Sequence, residues 1–90
     1  MKPVIVTTEF RGVFFGYADN MEKLPAEITL TDARNVIYWS SDVTGFLGLA
    51  TRGPIGIDTR IGAKVRELTL YKITSVAAVE PAALEVWERL

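Results

Sequence analysis

Apolar residues that alternate with polar ones or branch at Cβ dominate the chain and predict a fold built mainly from β-strands. The first two such segments are separated by only four residues, Glu9–Gly12, which predicts a β-hairpin. In the last segment the alternation shifts parity near Tyr71, where we expect a bulge or a bend. The five predicted strands are Val4–Thr8, Val13–Ala18, Glu27–Thr31, Val36–Ser40 and Val65–Val79.

The residues between these segments are typical of turns and chain breaks. Asp19–Pro25 is predicted to be a polar connection, and Asp32–Asn35 a turn between two strands. Gly16 lies inside the second strand and predicts a bulge or a close backbone contact there. A short helical turn is predicted over Thr44–Thr51, and the Gly53–Pro54 pair that follows ends it.

A C-terminal helix is predicted to begin at Pro81, because proline is well suited to the first helical position. Ala83 and Trp87 lie on one face of this helix, so we expect Trp87 to anchor it to the barrel or to a second subunit. Together these elements predict a single domain over residues 1–90, mainly β with minor α content. The expected architecture is a small antiparallel SH3-like barrel or roll of about five strands, with a glycine-rich loop and one terminal helix.

The apolar content of 49% is high for 90 residues, because a domain of this size has little interior in which to bury it. This excess predicts a homo-oligomer. No apolar run approaches the ~20 residues of a membrane span, and cysteine is absent, so we expect a cytoplasmic protein without disulfides. Histidine is absent too, which removes the commonest general base and the commonest metal ligand.

Glycine and positive charge concentrate in the same part of the chain. The segment Gly45–Gly62 holds five of the seven glycines, and residues 34–72 carry six basic and three acidic side chains. A pliable backbone beside arginines suits an anionic ligand, because a guanidinium offers a planar fork of donors to phosphate or carboxylate. The segment matches neither the dinucleotide-binding fingerprint nor the P-loop. The structural alternative is a surface loop with turn glycines.

Six residues are the candidate ligand contacts. Four cations would bind phosphate and two aromatic rings would offer a face to a base: Arg34, Arg52, Arg60, Lys64, Tyr38 and Trp39. The alternative for the two rings is a place in the core or at an interface. A nucleic-acid ligand is disfavoured, because the net charge of the whole chain is −1.

No set of residues assembles a catalytic signature, so we expect no enzymatic activity. Ser40 and Ser41 have no histidine to activate them, and the chain has no GxSxG elbow. Asp42 is interpreted as a helix-capping residue and Asp58 as a turn residue, the alternative being that they meet as an acid pair. Neither a metal site nor a cofactor is expected.

Several runs resemble a family of small uncharacterised phage and prophage proteins. They are Asp32–Ser40, Gly45–Ala50, Gly53–Pro54, Arg60–Gly62, and Glu80–Ala83 with Trp87 and Glu88 at the end. The resemblance implies a phage origin, and it carries over no functional residues. In kind, the chain is similar to small oligomeric phage proteins that sequester cyclic or ADP-ribose-type immune signals.

These observations lead to one hypothesis and one alternative for the function. The hypothesis is a phage accessory protein in the cytoplasm of an infected bacterium that binds and sequesters a small anionic ligand, in particular a nucleotide immune signal of host anti-phage defence. Sequestration needs no catalytic group, which suits a chain without histidine or cysteine. The alternative is a protein-interaction module, in which Gly45–Gly62 and the Trp87 helix bind a host or phage protein.

Overall fold

The computed structural model describes residues 1–19 and 27–90, which form one antiparallel β-sheet and two helices. The strands are β1 (Lys2–Thr8), β2 (Gly12–Ala18), β3 (Glu27–Tyr38), β4 (Arg60–Tyr71) and β5 (Ile73–Ala78). The helices are α1 (Phe46–Thr51) and α2 (Pro81–Glu88), and two 3₁₀ turns cover Glu9–Arg11 and Ser41–Val43. The predicted β-rich fold with a terminal helix is confirmed. Apart from Asp19, the connection predicted over Asp19–Pro25 lies outside the described residues.

The strands lie in the order β4-β3-β2-β1-β5, and all neighbours are antiparallel. β4 and β5 occupy opposite edges of the sheet, although only Lys72 separates them in sequence. Lys72 has a φ of 56°, and its carbonyl accepts a 3.1 Å hydrogen bond from the Glu9 amide. This corner confirms the bend predicted near Tyr71 and curls the sheet. Over the described residues β4 and β5 do not pair, so the sheet is not a closed barrel.

β3 is a single strand of 12 residues, so the prediction of two strands separated by a turn at Asp32–Asn35 is wrong. This part of β3 remains in the sheet because the neighbouring strands pair with it: Arg34 lies opposite Phe15 of β2 and Lys64 of β4, and Asn35 lies opposite Phe14 of β2. Asp32 takes a left-handed φ of 50°, which interrupts the side-chain alternation as a bulge does.

Each face of the sheet carries a cluster of buried apolar residues. Alternate residues of β1 belong to different clusters: Ile5 packs under the helices with Leu49 and Trp87, whereas Val4 and Val6 pack on the opposite face. The second cluster also contains Ala18, Ile28, Leu30, Ala33 and Leu70. Burial on two sides explains how so small a domain accommodates a high apolar content. The homo-oligomer that was expected from this content stays a prediction.

The glycine-rich segment Gly45–Gly62 is packed against the sheet. It contains α1, whose Leu49 is fully buried in the core under the helices. Beyond α1 the chain is held by Thr59, whose hydroxyl donates to the Ile55 carbonyl at 2.5 Å and accepts from the Ser40 amide at 3.0 Å. Two glycines allow this close packing, since a β-carbon on Gly48 would overlap the Val43 carbonyl oxygen and one on Gly56 would overlap the Ser40 hydroxyl.

The turn between β1 and β2 holds two residues in the left-handed region, Phe10 at a φ of 62° and Arg11 at 64°. This conformation costs a non-glycine residue about 1–2 kcal/mol. Phe10 is 94% exposed and gains little burial in return. Because asparagine tolerates this region, we expect Phe10→Asn to raise the free energy of unfolding by about 0.4–1 kcal/mol in urea denaturation.

The control for this substitution is Ile57→Asn, at a position that is 98% exposed and has no positive φ. We expect it to change the free energy of unfolding by less than about 0.5 kcal/mol. A Phe10→Asn protein that is less stable than the wild type would mean that the Phe10 ring is held by contacts that stabilise the fold.

Candidate functional site

A cleft of about 470 Å³ lies between the C-terminal end of α2 and the side of the sheet formed by β2, β3 and β4. Its volume is within the range of about 300–1,000 Å³ that is usual for small-molecule sites. Aromatic, cationic and acidic side chains from four elements meet there. They include Phe15, Tyr17, Asp32, Arg34, Lys64 and Glu88.

Two stacked rings support the base of the cleft. The ring centroids of Phe15 and Trp87 are 4.2 Å apart, with 5° between the ring planes. Trp87 Nε1 donates to the Leu49 carbonyl at 3.0 Å, so the indole is fixed from α1 as well as from β2. Trp87 is only 2% exposed, which confirms its predicted role as the anchor of the terminal helix.

One wall of the cleft is cationic. Arg34 and Lys64 lie directly opposite each other in the ladder between β3 and β4, so their side chains leave the same face of the sheet. Arg34 Nε donates to the Gly62 carbonyl at 3.0 Å, which positions the guanidinium. Two predicted ligand contacts are therefore neighbours in a cleft of suitable size.

The other wall is acidic. The Tyr17 hydroxyl donates to Glu88 Oε2 at 3.0 Å. Burial raises the pKa of Tyr17 to about 12, with further contributions from the hydrogen bond to Glu88, the charge of Glu88 and the charge of Asp32. Carboxylates from β3 and from α2 thus act on the same phenol.

The charges of the two walls are not paired with each other. Within residues 1–19 and 27–90, the one ion pair closer than 4.0 Å joins Lys72 to Glu9 at 3.6 Å, and neither residue lines the cleft. Two cations and two carboxylates therefore line a small cleft without neutralising one another in direct contact. Each of them can interact with a ligand.

The other four predicted contacts lie elsewhere. Tyr38 pairs with Arg60 at the end of the β3–β4 ladder, and it lines a second cleft with Trp39 and Arg11. Trp39 is partly buried and packs against the core under the helices, which agrees with the structural alternative for this ring. Arg52 is exposed at the end of α1. The structure thus brings together two of the six predicted residues in the first cleft.

Among the cleft residues that sequence reasoning did not identify as part of a site are Tyr17, Asp32 and Glu88. Tyr17 was interpreted only as part of a strand and Asp32 only as part of a turn. The sequence could have indicated Tyr17 only through its spacing from Phe15, because residues two apart in a strand lie on the same face. Nothing local indicates Glu88, since it lies 71 positions along the chain from Tyr17, whose hydroxyl hydrogen bond it accepts.

The raised pKa of Tyr17 predicts a loss of stability at high pH. A phenol that ionises less readily in the folded state contributes stability below its ordinary pKa of 10.0, and this contribution is lost as the pH rises toward about 12. We expect the melting temperature of the wild type to fall more steeply over this range than that of Tyr17→Phe, which has no proton to lose. Thermal unfolding at several pH values measures both slopes, and equal slopes would contradict the assignment.

Two further features bear on the function. Among the described residues, no three aspartates or glutamates gather closely enough to hold a metal ion. Neither described helix has the length and apolar character needed to cross a bilayer.

Comparison with known proteins gives a family for the chain. It matches no curated protein and no solved structure. The model of a family described as a domain of unknown function, DUF6948, matches residues 1–87, which include all five strands and all of α2 except its last residue, Glu88. The chain therefore belongs to the DUF6948 family.

Proposed function

We propose that the protein is a non-catalytic binding protein that holds a small anionic ligand in the cleft between α2 and the sheet. The observation that carries this proposal is the placement of Arg34 and Lys64 side by side in a cleft of ligand size. Cations that have no close carboxylate partner favour phosphate or carboxylate groups, because charge-assisted hydrogen bonds are about twice as strong as neutral ones.

The chemistry of the cleft supports binding rather than catalysis. The pKa of Tyr17 is raised to about 12, so the phenol is protonated at neutral pH. A general base works best when its pKa lies near the operating pH, so Tyr17 is poorly suited to that role. Holding a ligand requires only shape and fixed charges, and the cleft has both.

In its fuller form the proposal names a biological setting. The protein acts in the cytoplasm of an infected bacterium as a homo-oligomeric phage accessory protein, and it sequesters a nucleotide immune signal of host anti-phage defence. The resemblance of its sequence to small phage proteins supports this setting. Neither a membrane nor a nucleic acid is part of the proposal, since the chain has a net charge of −1.

The proposal is tested by identifying what the purified protein carries. The protein is denatured, and the released small molecules are analysed by mass spectrometry. In parallel, thermal shifts are measured with cyclic di- and trinucleotides and with cyclic ADP-ribose isomers. We expect an intact anion in the first experiment and a stabilising ligand in the second.

Matched variants locate the site. We expect Arg34→Ala and Lys64→Ala to weaken binding at least about tenfold each, because each removes a charge-assisted hydrogen bond. Arg52→Ala and Arg60→Ala remove the same charge outside the cleft and are expected to bind like the wild type. Absence of any bound anion and of any thermal shift would refute the proposal, and conversion of the ligand to a product would indicate an enzyme.

A protein-interaction module is the second candidate, and Phe10 favours it. This ring is 94% exposed and is held in a left-handed conformation, so the turn bears strain while presenting an apolar side chain to solvent. Affinity capture tests the candidate, with the wild type, Arg34→Ala and Phe10→Asn as the three baits. One defined partner, bound by the wild type and by Arg34→Ala but lost with Phe10→Asn, would favour the interaction module over the anion site.

A further inference from the structure

The mixed charge of the cleft restricts its ligand more than the two cations alone do. Asp32 and Arg34 are two positions apart on β3, and both line the cleft with Lys64 and Glu88. A phosphate that binds Arg34 and Lys64 is therefore close to two carboxylates, which repel it. A ligand that also donates hydrogen bonds to those carboxylates turns this repulsion into attraction.

The aromatic residues of the cleft are not arranged to bind a base. Phe15 and Trp87 are buried and stacked on each other, so neither presents a free ring face to a ligand. Tyr38 and Trp39, one of which was predicted to stack on a base, line a different cleft. Tyr17 is half-buried, with its ring against Phe15 in an edge-on arrangement and its hydroxyl bonded to Glu88. Apart from Met1, which is an exposed apolar residue of the lining, the groups exposed in the first cleft are polar, and they match the phosphate and hydroxyl groups of a ligand.

We propose that the cleft recognises a sugar phosphate, with the phosphate on Arg34 and Lys64 and the sugar hydroxyls donating to Asp32 and Glu88, whether or not a base is attached. This inference rests on the proposed function, because it names the class of the anion. A free sugar phosphate and the ribose phosphate of a nucleotide share this chemistry. The experiment separates these two sources.

Isothermal titration of the wild type with three probes tests the inference. The probes are orthophosphate, ribose 5-phosphate and adenosine monophosphate. We expect ribose 5-phosphate to bind at least about tenfold more tightly than orthophosphate, because its hydroxyls add hydrogen bonds to charged acceptors. Adenosine monophosphate is expected to bind within about threefold of ribose 5-phosphate. A tenfold preference for the nucleotide would show that the base is recognised and would overturn the inference.

The variant Asp32→Asn is expected to change the affinities for orthophosphate and for ribose 5-phosphate in opposite directions. Asparagine is accepted at a φ of 50° and removes only the charge, so the fold is expected to be retained. Orthophosphate should bind more tightly because a repulsive charge is gone. Ribose 5-phosphate should bind about three- to tenfold more weakly because its hydroxyls lose a charged acceptor. Asp58→Asn, at an exposed position outside the cleft, is the control and should change neither affinity.

The outcomes distinguish this inference from the proposal on which it rests. Tighter binding of both probes by Asp32→Asn, or equal affinity of the wild type for orthophosphate and ribose 5-phosphate, overturns the sugar-phosphate inference and leaves an anion site in place. Failure of all three probes to bind also overturns it. The proposed function falls with it only if the purified protein carries no anion and no nucleotide stabilises it.

Discussion

Trp87→Ala is expected to lower the free energy of unfolding by about 3–5 kcal/mol, the usual cost of removing a large buried aromatic side chain. The indole is stacked on Phe15 and bonded to the Leu49 carbonyl, so it joins α2, β2 and α1 at one point. A domain of this size has only about 5–15 kcal/mol of stability in total. We therefore expect the melting temperature to fall by tens of degrees.

Trp87→Phe separates packing from hydrogen bonding. It retains an aromatic ring beside Phe15 but leaves the Leu49 carbonyl without its donor, which costs about 1–3 kcal/mol. Urea denaturation of the two variants gives both values. If Trp87→Ala lowered the free energy of unfolding by less than Trp87→Phe does, the indole would not be the anchor of α2.

Gly48→Ala is the second substitution with a large expected effect. A β-carbon at this position would overlap the carbonyl oxygen of Val43 and lie 2.6 Å from its carbonyl carbon. The obstacle is backbone, and Val43 is fully buried, so no flexible side chain can move aside. The Gly48 carbonyl also accepts the amides of Arg52 and Gly53, so displacing α1 disturbs its C-terminal end as well. We expect a loss of about 3 kcal/mol or more.

The matched control is Gly62→Ala in β4. There a β-carbon would meet the Asn35 carbonyl oxygen at 3.3 Å, which requires a shift of only a few tenths of an ångström. We expect a change of less than about 1 kcal/mol in the same denaturation experiment. Equal stabilities of Gly48→Ala and Gly62→Ala would contradict the packing of α1 on the 3₁₀ turn Ser41–Val43.

The sequence predicted those parts of the fold that depend on residues close together in the chain. β-Branched residues and a short turn identified the β1–β2 hairpin, and the parity shift at Tyr71 identified the corner at Lys72. Gly16 is close to another strand, as expected, because a β-carbon there would lie 2.8 Å from Leu30. β3 was misjudged because turn-forming residues such as Asp32 stay in a strand when the residues on either side of them pair with the neighbouring strands, as Thr31 and Arg34 do.

The candidate site was less predictable, because its residues meet through contacts that are distant in sequence. The positive region indicated Arg34 and Lys64, but pairing of β3 with β4 is what makes them neighbours. Arg52 belongs to the same positive region, yet the end of α1 places it outside the cleft. The acidic wall depends on the docking of α2 against β2, which no spacing along the chain reveals.

The central claim is that the cleft, and not the glycine-rich segment, binds the anion. The most direct test is a titration of the ¹⁵N-labelled protein with ribose 5-phosphate, followed by two-dimensional NMR of the backbone amides. We predict that the largest shifts fall on Tyr17, Asp32, Arg34, Lys64 and Glu88, which line the cleft. Shifts confined to residues 45–59, or the absence of any shift at saturating probe, would contradict the claim.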